Sequence, residues 1–198
     1  DGTSAVALDS EGKAHVVFSK IACYYDEEST YWWFPGDGIV YWNEDMETLD
    51  TSLVSSYTNE FLDEECLLLS DIDYNSGDLL GEIHYWKSYT SWPQISIDEN
   101  DNMIVIWSQK QHDFDNSIDN YRHIVGRIYD NTSGEWGEIE DYTADVEYWF
   151  SECIWPALSP TFYDNKAFFS FWEDGDPGTA NDENHDAHEN NLVVMSVE

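Results

Sequence analysis

Basic residues are scarce in this chain. Lysine and arginine number 7 together, against 42 aspartate and glutamate residues, and the formal net charge is −35. A surface of this sign repels both the phosphate backbone of nucleic acids and the anionic surface of membranes. We therefore expect no nucleic-acid partner. Two interpretations of the acidity stay open: a solvated acidic surface, or carboxylates that hold Ca²⁺, a cation that prefers oxygen ligands.

Cysteine and long apolar runs are also scarce. The three cysteines, Cys23, Cys66 and Cys153, lie far apart and form no Cys-X-X-Cys pair, which argues against a zinc site. One disulfide with one remaining thiol is possible, and the spacing does not select the pair. No apolar run approaches the length of a membrane span, so we expect no direct membrane insertion.

Aromatic residues, in contrast, are abundant. They make up 16% of the 198 residues, with ten Trp and thirteen Tyr. Aromatic side chains are enriched in β-strands, and disordered chains contain few of them. The composition therefore predicts a folded, strand-rich chain of one domain.

Three segments share a pattern of two apolar strands around a tight polar turn. They are Ser4 to Lys20, Pro93 to Gln109 and Pro156 to Asp174. Asp9 and Asp98 stand at the same place before the turn, where an Asp side chain bonds its own turn backbone. Each segment therefore predicts a β-hairpin.

The same alignment places one aromatic side chain at the end of each hairpin. Phe18, Trp107 and Trp172 occupy this position in the three copies. The third copy is longer by two residues before its turn.

Further strands follow each hairpin. Gly38 to Trp42, His123 to Tyr129 and Asn191 to Met195 read as third strands, and Glu135 to Ile139 reads as a fourth strand. Asn59 to Leu68 carries an N-terminal capping residue and early acids, so a short helix is predicted there.

Repeats of three or four antiparallel strands predict an all-β fold of four-stranded blades from a β-propeller, with about three blades in this chain. The blades are expected at residues 1–57, 83–145 and 153–198, with 58–82 as an insertion. A β-sandwich is the alternative. Because a propeller has at least four blades, we expect the remaining ones in further chain or in a partner subunit.

The repeat resembles the blades of a known superfamily. Its pattern, apolar-X-apolar-Asp-X-X-Gly/Asp-X-X-X-Val-apolar-Trp/Phe-Ser, is similar to that of sialidase-like, BNR-like propellers of secreted or surface proteins, Bacteroidetes type. The resemblance covers about half of the chain. It implies an extracytoplasmic protein with a ligand face formed by the loops between second and third strands. Asp9 and Gly12 lack the sialidase Asp-box spacing. A sialidase also needs three arginines to bind its substrate carboxylate, and this chain has only Arg122 and Arg127.

The expected ligand face contains two aromatic loops. Loop one runs from Ile21 to Asp37 and loop two from Lys110 to Tyr121. Aromatic rings can stack on sugars or cover a peptide, or they can fold back over the top of the propeller. The candidate ligand-binding residues of both loops are Tyr24, Tyr25, Tyr31, Trp32, Trp33, Phe34, His112 and Phe114.

Two acidic stretches are candidate metal sites. The stretch from Asp71 to Glu82 resembles a calcium loop in its spacing of oxygen ligands, although a tight acidic turn without metal is the alternative. Its candidate ligands are Asp71, Asp73, Asn75, Asp78 and Glu82. Loop three, Gly175 to Asn190, contains His185 and His188, which suit a transition metal or simply belong to a solvated loop.

No catalytic constellation emerges from the motifs, because carboxylates are so abundant that any spacing between two of them occurs by chance. We therefore expect a non-catalytic extracellular binding or scaffold propeller that presents aromatic and acidic loops to a glycan or protein. The alternatives are a fragment of a propeller glycoside hydrolase or lyase, and a structural subunit of a cell-surface assembly.

Overall fold

The computed structural model describes residues 3–19, 23–25, 31–33, 38–46, 66–70, 79–80, 85, 87–178, 185 and 188–198, with the backbone alone for 23–25 and 31–33. This part of the chain is all-β, and its paired strands run antiparallel. In chain order the strands are β1 (Ser4–Leu8), β2 (Ala14–Ser19), β3 (Cys23–Tyr25), β4 (Tyr31–Trp33), β5 (Ile39–Asn43), β6 (Leu67–Ser70), β7 (Thr90–Ile97), β8 (Met103–Asp115), β9 (Asn120–Asp130), β10 (Glu135–Trp136), β11 (Glu140–Asp141), β12 (Glu152–Leu158), β13 (Ala167–Asp174) and β14 (Asn191–Val197).

The strands form three main sheets and one small hairpin. The first sheet has the order β1-β2-β5-β6, the middle sheet β7-β8-β9-β10 with β11 also on β9, and the third sheet β12-β13-β14. The small hairpin, β3 with β4, is inserted between β2 and β5. Each main sheet is therefore built from successive strands, and the three hairpins and three third strands expected from the sequence are confirmed.

The equivalent turns of the first two hairpins have the same geometry. Asp9 accepts hydrogen bonds from the backbone N–H groups two and four residues further on, at 2.9 and 2.8 Å, and Asp98 does so at 2.8 and 2.8 Å. Three residues after each Asp, Gly12 and Asp101 have φ of 84° and 61°. Gly and Asp tolerate this left-handed conformation, so the repeat inferred from sequence is a repeat of backbone structure.

The third hairpin closes differently. Asp164 and Asn165 both have positive φ, 52° and 59°, between the paired residues Tyr163 and Lys166. Two successive left-handed residues favoured by Asp and Asn are typical of a two-residue hairpin turn. The extra length of the third copy therefore corresponds to a change of turn type.

The middle sheet is buried on both faces. Alternate residues of β8 point to opposite sides, so Met103, Val105 and Trp107 pack against the first sheet, while Ile104 and Ile106 pack against the third. This explains why β8 is a continuous apolar run in the sequence. The first core contains Val17, Ile39, Tyr41, Leu69, Ile95, Met103, Val105, Trp107 and Val125, and the second Ile104, Ile106, Ile124, Tyr148, Cys153, Ala167, Phe169 and Phe171.

The outer faces of the two end sheets are apolar and exposed. On the first sheet, Val6 and Leu8 are 63% and 64% exposed. On the third sheet, Trp172 pairs with Leu192 on a face that also carries Val194, and these three side chains are 42%, 62% and 67% exposed. We call these surfaces the two end faces.

Two expectations for secondary structure are wrong. Leu67 and Leu68 belong to β6, where they pair with Tyr41 and Val40, and they are not the end of a helix; residues 59–65 lie outside the described residues. Pairing with a strand edge overrides the local helical signal here. The fourth strand of the middle sheet comprises only Glu135–Trp136, because the next pairing with β9 is made by β11.

The predicted equivalence of Trp172 with Phe18 and Trp107 is wrong for the third sheet. A β-bulge follows the pair Ser91–Ser108 in the middle sheet and the pair Ile154–Trp172 in the third sheet. Trp172 is therefore equivalent to Ser108, and Phe171 is equivalent to Trp107. Both Phe171 and Trp107 are fully buried.

Candidate functional site

The aromatic residues predicted in loop one lie on a hairpin. Tyr24 pairs with Trp32, and Tyr25 with Tyr31, in the β3–β4 ladder. Tyrosine and tryptophan are both enriched in strands, so these segments suit a hairpin better than an irregular loop. Trp33 ends this hairpin, whereas Phe34 lies outside the described residues. The backbone corrects the loop assignment, and the contact role of these rings stays a prediction.

The two residues predicted in loop two are also strand residues. β8 continues to Asp115, so His112 and Phe114 precede the short connection 116–119 and do not form part of it. The side-chain amide of Asn120 donates to the backbone carbonyl of Gln111 at 2.8 Å, which fixes this extension. Phe114 stacks on the buried His123 ring with 4.9 Å between centroids. Phe114 is half-buried, while His112 is exposed, and the contact of either residue with a ligand stays a prediction.

The five predicted calcium ligands, Asp71, Asp73, Asn75, Asp78 and Glu82, lie outside the described residues. Calcium binding there stays a prediction. Among the residues that the structure does describe, no group of three or more His, Cys, Asp or Glu side chains is arranged to hold a metal ion.

Three other aromatic rings meet at the end of the sheets where the second strands lead to the third strands. Tyr85, Trp92 and Trp155 form an edge-to-face cluster, with centroids 5.7 Å apart for Tyr85–Trp92 and Tyr85–Trp155, and 6.1 Å apart for the two indoles. Trp155 is 45% exposed. We call this group the aromatic cluster, and it brings together the first strands of the middle and third sheets.

The local sequence explains why both indoles point away from the regular side-chain direction of their strands. Trp92 precedes Pro93 and Trp155 precedes Pro156, and each Trp-Pro pair lies in the β-bulge of a first strand. Trp92 and Trp155 have φ of 55° and 51°. A bulky residue rarely adopts positive φ, and such strain concentrates at functional sites. The two bulges therefore turn equivalent indoles toward one point.

A buried ion pair lies next to the aromatic cluster. Arg122 and Glu152 have fully buried side chains, and their Nε and Oε1 atoms are 3.6 Å apart. Glu152 Oε2 also accepts the backbone N–H of Arg122 at 2.7 Å. The guanidinium donates to the carbonyls of Ser88 and Tyr89 at 2.7 and 3.1 Å, and it lies 5.7 Å from the centre of the Trp92 ring. The pair is thus engaged in holding β7, β9 and β12 together.

A second buried cation lies beside this pair. Lys110 has no exposed side-chain surface; its Nζ donates to the carbonyl of Leu80 at 3.2 Å and lies 3.7 Å from Asp119. Burial, reinforced by the positive charge of Arg122, lowers the pKa of Lys110 to about 8. The charge of Lys110 is therefore sensitive to mildly alkaline pH.

The Lys110 pKa predicts a pH-dependent stability. Because the pKa of Lys110 falls from 10.5 to about 8 on folding, the unfolded chain binds more protons between these values, and stability rises with pH there. Between pH 7 and about pH 9.5, we expect the free energy of unfolding to increase more in the unmodified protein than in Lys110→Met. The range ends below pH 10, where the tyrosines of the unfolded chain ionise. Urea denaturation at both pH values measures this. The same pH dependence in the two proteins would contradict it.

The histidines of loop three form two separate pairs with aspartates. His188 Nε2 is 2.6 Å from Asp176, and His185 Nε2 is 3.5 Å from Asp174. The two imidazole centroids are 6.3 Å apart. Gly175 has no room for a side chain, because a Cβ atom there would lie 2.7 Å from His188 Cγ. These pairs attach the later part of the connection from β13 to β14 to the end of β13 and the residues just after it.

Cys66 and Cys153 are both buried, and no disulfide joins these two cysteines. Burial raises the pKa of the Cys153 thiol well above its usual value. A thiol with a raised pKa is a poor nucleophile, so Cys153 serves packing in the second core.

The central members of this site, Trp92, Trp155 and Glu152, are not among the residues predicted from the sequence. The signal for Trp92 and Trp155 was present, because the same Trp-Pro pair opens two equivalent strands. No local signal marks Glu152, since one acid among 42 carries no information until the fold places it against Arg122. Arg122 and Glu152 contact each other and bond backbone groups. The surface that remains for a ligand at this site is therefore mainly that of the aromatic rings.

Within the described part of the chain, no helix has the length and apolar character needed to cross a membrane. No protein-family model matches the chain, and no curated protein matches it.

Proposed function

We propose that the three sheets are consecutive blades of a β-propeller. Three features support this: each sheet is a meander, the sheets pack face to face, and the first strands β1, β7 and β12 contact each other in that order. Propellers stack such sheets around a central channel lined by their first strands. In this arrangement the aromatic cluster lies where the channel opens.

The end faces support the completion of the ring by further blades. Phe168 and Trp172 occupy positions equivalent to Ile104 and Ser108 of the middle sheet, which are buried by the third sheet. Apolar side chains exposed at positions that are buried in the middle sheet fit a surface that another sheet covers. We propose that the covering blades come from further chain or from a partner subunit.

For function, we favour a non-catalytic extracellular binding or scaffold module. The observation that carries this is the aromatic cluster, in which two strained Trp-Pro bulges present indoles and the neighbouring charges are engaged elsewhere. Large rigid aromatic side chains supply much of the energy at binding surfaces. A glycan or a protein segment with an uncharged, apolar surface suits such a site, and the extracytoplasmic location is the one that the blade resemblance implies.

The test is the loss of binding on truncation of Trp155. A glycan array and a peptide library identify a ligand for the unmodified protein, and we expect Trp155→Ala to weaken binding by about tenfold or more. Tyr163→Ala is the matched control, because Tyr163 is an aromatic side chain that is 75% exposed at the other end of the third sheet. Equal binding by the protein and both variants would refute the proposal.

A structural role in a cell-surface assembly is the second candidate, and the two exposed end faces favour it. If the chain has this structural role, the aromatic cluster binds no ligand. The chain then copurifies from its source with the partner that covers its end faces. The remaining alternative, a glycoside hydrolase or lyase, is tested by the same glycans through the release of products.

A further inference from the structure

A second possible site lies at the opposite end of the first and middle sheets. A cleft of about 510 Å³ opens there between the two sheets, among the tight turns. Its volume lies in the range of small-molecule sites. The aromatic cluster is at the other end of the same strands, so the two places do not share residues.

Three aromatic rings form the wall of this cleft. Tyr41 comes from the first sheet, and Tyr129 and Trp136 come from the middle sheet. The Trp136 ring lies 5.2 Å from Tyr41 at an interplanar angle of 68°, and 5.4 Å from Tyr129 at 53°. Neither tyrosine stacks flat on the indole, so the rings meet at a corner in which Tyr129 and Trp136 are half-buried and Tyr41 is buried. Such a corner suits a cation with an apolar coat.

Hydrogen bonds hold the deepest ring in place. The hydroxyl of Tyr41 is 2.6 Å from His15 Nδ1, and it accepts the side-chain N–H of Asn43 at 3.0 Å. The Tyr41 ring is 3% exposed and also contacts Met103 through its hydroxyl. The wall is therefore preorganised, which reduces the ordering cost of binding.

The rim of the cleft is strongly acidic. It contains the four carboxylates Asp9, Glu11, Asp45 and Asp101. Lys13 pairs with two of them, Glu11 at 3.2 Å and Asp45 at 2.8 Å. Asp9 and Asp101 accept hydrogen bonds from the turn residues Glu11 and Ser10, and the four carboxylates outnumber the one lysine, so the rim attracts cations.

We infer that this cleft binds an organic ammonium group. A small inorganic cation takes oxygen ligands in a compact shell and gains little from ring faces. A quaternary ammonium is large and weakly hydrated, and it is recognised by aromatic faces within about 6 Å of the charge. The combination of an aromatic corner and an acidic rim matches this ligand class.

The test compares choline with 3,3-dimethylbutan-1-ol, its neutral carbon isostere, at constant ionic strength. The readout is the shift of the indole N–H signals in the ¹⁵N spectrum, with the Trp136 signal assigned by its loss in Trp136→Leu. We expect saturable choline binding that is about tenfold tighter than binding of the neutral isostere. Equal affinity for the two probes would overturn the inference.

Two variants locate the site. Trp136→Leu removes the central ring while keeping an apolar side chain, and we expect choline affinity to fall by about tenfold. Trp149→Leu, at the other end of the middle sheet, is its control. Should Trp136→Leu fail to fold, Glu11→Gln on the exposed rim decides: we expect it to weaken choline binding by about twofold to threefold, because one nearby charge is lost. Equal weakening in Glu147→Gln, an exposed acid outside the cleft, would show that only the overall negative charge attracts choline.

Discussion

The Glu152→Ala variant is expected to lose about 3–5 kcal/mol of free energy of unfolding, the range observed when one partner of a buried ion pair is removed. Glu152 is fully buried, and its carboxylate faces the Arg122 guanidinium and bonds the Arg122 backbone N–H. Its removal leaves a buried cation without its negative partner. Urea denaturation of the protein and the variant measures the loss.

Two controls separate charge from general damage. Glu198→Ala removes an exposed partner of Lys166, and we expect it to leave the free energy of unfolding nearly unchanged, because water screens an exposed ion pair. The double variant Arg122→Met with Glu152→Leu replaces both charges by apolar groups and should recover much of the loss. If Glu152→Ala cost no more than Glu198→Ala, the buried pair would not stabilise the fold in the way described.

The second large effect concerns two neighbouring aromatic residues on opposite faces of β13. Phe171 is fully buried in the second core, 5.9 Å from the Tyr148 ring and 6.2 Å from Phe169. We expect Phe171→Ala to cost about 3–5 kcal/mol, since a cavity forms in a packed core. Trp172 lies on the end face and is 42% exposed. Trp172→Ala in the isolated chain should cost about 1 kcal/mol or less.

The comparison also reports on the end face. Thermal or urea unfolding is measured for both variants over a range of protein concentrations. A loss for Trp172→Ala as large as that for Phe171→Ala would contradict the exposure of Trp172. If that loss grew with protein concentration, it would show that another copy of the chain covers the face, because stability that depends on association follows mass action.

The sequence predicted the strands well where alternation and turn chemistry agreed. Asp9 and Asp98 marked equivalent turns, and the apolar run of β8 marked a strand buried on two sides. It failed where tertiary pairing decided the outcome. Leu67 and Leu68 follow a helical signal, but they complete the edge of the first sheet. Phe171 and Trp172 are both aromatic, and only the bulge after Ile154 determines which of them is equivalent to Trp107.

The site was harder to predict than the fold. The sequence predicts His112 and Phe114 in a loop, where an imidazole and an aromatic ring could contact a ligand. In the structure β8 extends to Asp115, so both are strand residues. The aromatic cluster joins Trp92 and Trp155, which lie 63 positions apart in the numbering and meet only because two bulges face each other. Long-range convergence of this kind leaves no mark in local composition. Arg122 and Glu152 illustrate the same limit for charges.

The burial of the middle sheet on both faces gives the chain the behaviour of a short linear array. In such an array each unit is stabilised by itself and by its contacts with neighbours. The middle unit has two neighbours here, whereas each end unit has one within the described residues. Fraying should therefore begin at either end and stop at the middle sheet, because β8 and β9 both contribute side chains to the two cores and so couple them. An added unit at an end would convert that end into an interior position, so growth of the array and resistance to local opening would increase together.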